Sequence, residues 1–66
     1  MDYQAEELHQ ALYQVNSMIA KCEKALENQK PGSAQHTLLT RRIKALKISR
    51  ELMAEHLRAA QDERQA

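Results

Sequence analysis

The sequence predicts an all-α fold, a two-helix antiparallel hairpin of coiled-coil type, and three observations predict it. The only Pro and the only Gly are adjacent, Pro31-Gly32, close to the middle of 66 residues. On each side of that break, apolar residues recur in alternating steps of three and four, the spacing of a helical seam. Most other positions hold Ala, Glu, Gln, Lys and Arg, which favour helix, and no run alternates in the manner of a strand. The whole chain, residues 1–66, reads as one domain.

The first helix is expected over about residues 3–29. Asp2 can cap it, and Glu6 and Glu7 fall near its positive end. Its seam is Ala5, Leu8, Leu12, Val15, Ile19, Cys22 and Leu26. The turn is Lys30-Pro31-Gly32-Ser33. Proline disfavours helical backbone in the residue before it, and Gly32 supplies backbone freedom. Ser33 is a natural N-cap for a second helix over about residues 34–63, and the residues after it read as a frayed tail. His36 stands where a reciprocal capping box would need Glu or Gln. The second seam is Leu39, Ile43, Leu46, Arg50, Met53, Leu57 and Ala60.

Folding at the turn sets the two seams against each other. Leu26 meets Leu39, Cys22 meets Ile43, Ile19 meets Leu46, Val15 meets Arg50, Leu12 meets Met53, Leu8 meets Leu57 and Ala5 meets Ala60. The two numbers in every pair add to 65, which is the property of an antiparallel register. Charge agrees with it. Residues 1–29 hold five acidic and two basic side chains, net −3, and residues 30–66 hold eight basic and four acidic, net +4. The two halves can therefore pair with each other.

Each helix carries more apolar surface than its seam uses. Ala11, Met18 and Ala25 recur every seven residues in the first helix. Leu38, Ala45, Leu52 and Ala59 do so in the second, with Ile48 beside them. At about 100° per residue, these stripes lie some 80–140° from their seams and emerge on the same side of the hairpin. The expected molecule has one apolar and one polar face. A chain this short, without Trp or Phe, closes little core alone. The eight stripe residues are therefore expected to form an interaction face. A homodimer that buries two such faces as a four-helix bundle is the first expectation, and a helix of another protein is the second.

No catalytic site is expected. Glu6 and His9 have the Glu-x-x-His spacing of di-iron bundles, and the register sets His9 opposite His56 with Glu55 adjacent. The second helix has Met53 three before His56, however, and neither seam holds a Glu, so no metal or other cofactor is expected. Arg50 in the seam reads as a side chain reaching to the seam's edge, or as a polar device fixing register through Asn16 or across a dimer. Cys22 reads as a structural thiol. With one cysteine there is no intramolecular disulfide, and a cytoplasmic location is expected. Apolar runs reach only two or three residues, so neither a membrane span nor a signal peptide is expected.

Arg41, Arg42, Lys44, Lys47 and Arg50 run without an acidic interruption. They spread around the helix with no aromatic among them, which reads as a solvated face partly paired with Glu23 and Glu27. Nucleic-acid contact through residues 41–50 is the alternative function. The stretch Lys30-Pro31-Gly32-Ser33-Ala34-Gln35-His36-Thr37-Leu38-Leu39, followed by Arg42-Ile43-Lys44-Ala45-Leu46, resembles small uncharacterised bacterial helical-hairpin proteins. That resemblance covers the turn and the first half of the second helix, and it implies a hairpin but no activity. The expected function is a small non-enzymatic protein–protein interaction or scaffold module.

Overall fold

A computed structural model describes residues 3–65, with side chains over 3–60. Two helices, α1 (Ala5–Leu26) and α2 (Ala34–Gln65), make up the fold. The molecule is 50 × 17 × 14 Å with a radius of gyration of 15.1 Å. A compact chain of this length would have a radius near 11 Å. The protein is a rod whose length is that of α2.

The ends of α1 differ from expectation at both termini. Asp2 lies outside the described residues, and the cap is Gln4, whose N–H donates to Glu7 Oε1 at 3.1 Å. Glu7 sits three residues after the cap, where a carboxylate both accepts from the cap backbone and faces the positive helix end. At the other end α1 stops at Leu26, not at 29. Asn28 N–H donates to Ala25 C=O at 3.2 Å, and Gln29 N–H donates to Leu26 C=O at 3.0 Å. The chain thus tightens to three-residue spacing as it approaches Pro31.

The turn follows from its residue types. Ser33 N–H donates to Lys30 C=O at 3.1 Å. Pro31 takes the first central position and Gly32 the second, where φ is +87°. That is the pattern of a type II turn, whose second central residue favours Gly. Ser33 then caps α2: its Oγ accepts from His36 N–H at 3.1 Å. The expected reciprocal half is missing because His36 occupies that place. α2 runs to Gln65, two residues beyond the expected end.

The seam lies where the spacing sets it. All fourteen seam residues are buried or half-buried. Leu8, Val15, Ile19, Leu39, Ile43 and Leu57 form the buried core, and Ile19 is the most enclosed at 3% exposure. Two cross-helix bonds record the direction. Arg50 donates to Asn16 Oδ1 at 3.1 Å, and Lys47 Nζ lies 3.4 Å from Glu23 Oε2. The α2 number falls as the α1 number rises, so the helices are antiparallel. Arg50 uses its seam place by reaching sideways to Asn16, half-buried as a seam position requires.

Candidate interaction face

The two sides of the hairpin are chemically unlike. One is stitched by the Arg50–Asn16 hydrogen bond and the Lys47–Glu23 ion pair. A groove there is lined by Leu12, Asn16, Lys44, Lys47, Arg50 and Glu51, among others. The other side holds two grooves. Ala11 and Leu52 share one with Tyr3, Leu8, Met53 and His56. Met18 and Ala45 share the next with Cys22, Arg42 and Leu46.

The eight stripe residues divide by exposure. Ala11 and Ala25 are half-buried, shielded by the hairpin's own flank. Met18, Leu38, Ala45, Ile48, Leu52 and Ala59 are exposed. Leu52 is 61% exposed and Ile48 51%. The structure brings Ala11 to Leu52 and Met18 to Ala45, but it does not bring Ile48 to them. Ile48 lines the groove of the opposite side, with Lys44, Lys47 and Glu51. The reason is angular. The α1 stripe lies directly beside its seam, so α2 overhangs it. The α2 stripe continues further round and ends on the crest that faces away from α1. Most of the exposed stripe residues therefore belong to α2, with Met18 the one exposed member on α1.

The possible chemical groups are dispersed. His9 and His56 stand at matching levels of the register but line different grooves, His9 with Gln10, Tyr13 and Gln14, and His56 with Leu52 and Met53. Matching level is not matching side: each residue points about a quarter turn from its seam, and the two turns go opposite ways. Among the described residues, no three His, Cys, Asp or Glu side chains gather in a way that could hold a metal. Cys22 is a free thiol, half-buried in the seam.

The basic stretch is divided as well. Lys44, Lys47 and Arg50 border one groove, and Arg42 borders another on the other side. Lys47 and Arg50 are already engaged with α1. Glu23 takes part as expected, whereas Glu27 makes no ion pair with a described residue. Among the described residues, no helix is long and apolar enough to cross a membrane. No family model, curated protein or solved structure matches the chain.

Proposed function

We propose that this chain is a small, non-enzymatic protein–protein interaction module that self-associates as a homodimer, gathering four helices through the exposed apolar side of α2. One observation carries the reading: Leu38, Ile48 and Leu52 stand exposed on a helix whose other side already forms the core. Fully burying such a side chain from full exposure contributes about 1.5–3 kcal/mol, and these three are about half exposed, so completing their burial offers about 2–5 kcal/mol per protomer. That approaches the lower end of the stability of a small domain. The surface area agrees. The chain exposes 5495 Å², about 1,200 Å² more than a compact protein of its mass. The single thiol accords with a module working in a reducing, cytoplasmic setting.

Sedimentation equilibrium tests the proposal. The expected result is a dimer in the micromolar range, with a thermal midpoint that rises with protein concentration. A helical, cooperatively melting monomer at high micromolar concentration would overturn it and pass the face to a helical partner of another kind. The basic stretch supports nucleic-acid contact only as a second reading, favoured by Lys44 and Arg41 being exposed. Gel-shift binding that weakens steeply with salt would promote that reading above the first.

A further inference from the structure

The crest of α2 carries a pattern that says how the second copy sits. Leu38, Arg41, Ala45, Ile48, Leu52, Glu55 and Ala59 follow one another in steps of three, four, three, four, three and four. That spacing keeps them on one side of a helix. All seven are exposed. At 100° per residue their mean direction lies about 140° from the seam, which is nearly opposite α1. The line is therefore a second seam with nothing packed on it.

We infer that two copies pair α2 against α2, antiparallel, about a two-fold axis beside Ile48. This rests on the self-association proposed above and specifies its geometry. Reversing the line about Ile48 sets Leu38 against the partner's Ala59 and Ala45 against the partner's Leu52. The same reversal sets Arg41 against the partner's Glu55 and leaves Ile48 against itself. The facing numbers add to 96 or 97, so every pair lies within one residue, about 1.5 Å along the axis, of a single antiparallel register. Leu38 and Leu52 each meet an alanine, and Ile48 alone meets its own kind at the axis, so large and small apolar side chains interdigitate along the line. Arg41 and Glu55 make no ion pair or side-chain hydrogen bond with any described residue of their own chain. Across the two-fold axis each finds the other, and symmetry supplies the pair twice.

Parallel pairing of the same line fails on the same residues. It would stack Arg41 on Arg41 and Glu55 on Glu55, set leucine on leucine, and leave facing alanines apart. Like charges directly opposed disfavour that arrangement. Pairing through α1 fails for another reason, since Ala11 and Ala25 are already partly covered. The antiparallel dimer is a layer of four helices, with the two copies of α2 in the centre and the two turns at opposite ends.

Charge exchange in the full chain, read by sedimentation equilibrium, tests the pairing. Arg41→Glu alone and Glu55→Arg alone each place like charges across the axis twice. Each is expected to weaken the dimer about tenfold while leaving helicity intact by circular dichroism. The double variant is expected to recover to within about threefold of wild type. Spin labels at Gln35→Cys in a Cys22→Ala background are expected roughly 40 Å apart, from 1.5 Å per residue along α2. A wild-type chain that stays monomeric would overturn self-association itself. A stable dimer indifferent to all three charge variants, or labels less than about 25 Å apart, would leave self-association standing and overturn this pairing.

Discussion

The two helices solve different packing problems, although they share one seam. α1 has 22 residues and puts its apolar side chains on the seam and on the flank next to it. α2 has 32 residues and carries apolar side chains on two sides that are nearly opposite. One neighbour satisfies α1. It cannot satisfy α2, because no single helix covers two sides at once. The polar bonds show the same asymmetry. Asn16 and Glu23 of α1 spend their polar groups on α2, while Arg41 and Glu55 on the crest of α2 pair with no described residue of the chain. The lesson is that surplus amphipathicity is directional. What counts is where the extra residues point relative to the first seam.

The strongest way to break the comparison is to remove what the helices share. Ile19→Ala empties the most enclosed seam position and should cost about 2–5 kcal/mol, seen as an earlier urea midpoint. If the loss were under about 1 kcal/mol, the seam would not be the core. Next comes a matched pair on the outer surfaces. Leu52→Glu on α2 should abolish the concentration dependence of the thermal midpoint and cost about 1–2 kcal/mol of the burial gained on association. Tyr13→Glu on α1, at a residue 72% exposed, should leave association unchanged. Equal effects of the two would erase the distinction drawn between the helices.

Smaller effects sharpen the picture. Gly32→Ala should cost about 1 kcal/mol. No atom lies within 4 Å of the added methyl group, so the cost is that of holding alanine at a φ of +87°. Gly32→Asn, which tolerates positive φ better, should cost less, and thermal melts of both variants would check the order. At the bottom of the scale, Glu23→Ala removes an ion pair whose partners are about half exposed. A change beyond about 0.5 kcal/mol in its denaturation midpoint would mean that the pair fixes register and does not merely decorate the surface.

Much of this was legible in the residues. The alternating steps of three and four, and the isolated Pro31-Gly32, specify the hairpin, its register and the Ser33 cap, because those features depend on local spacing and backbone chemistry. The Arg50–Asn16 bond follows from the register once Arg50 is recognised as the one polar seam residue. The end of α1 was less legible. Glu27, Asn28 and Gln29 are acceptable in a helix, and only the approach to Pro31 decides that they form turns. At the start, Asp2 is the better capping residue by type, whereas Gln4 stands where Glu7 can answer it. The face was legible in kind but not in extent. Angles along one helix show where Ala11 and Ala25 point, but not how far a neighbouring helix overhangs them. His9 and His56 were paired by level alone, and level carries no information about side.

The antiparallel register also orders the molecule in time. Leu26 and Leu39, next to the turn, are only 13 residues apart in the chain, and Ala5 and Ala60 are 55 apart. Closing the longer loop from an unfolded chain costs about 1.3 kcal/mol more by the logarithmic dependence of loop entropy on length. Each seam pair formed near Gly32 shortens the loop that the next pair must close. The expected route is a zipper that starts at the Lys30–Ser33 turn and runs outward. Truncations at Leu39 and Ile43 should then slow folding, whereas truncations at Leu8 and Leu57 should mainly speed unfolding. Stopped-flow kinetics on the four alanine variants would reveal the gradient, and a flat profile along the rod would refute it. The free ends of such a hairpin are the last parts to fold and the first to open, so the end holding Leu8 and Leu57 is where hydrogen exchange should begin.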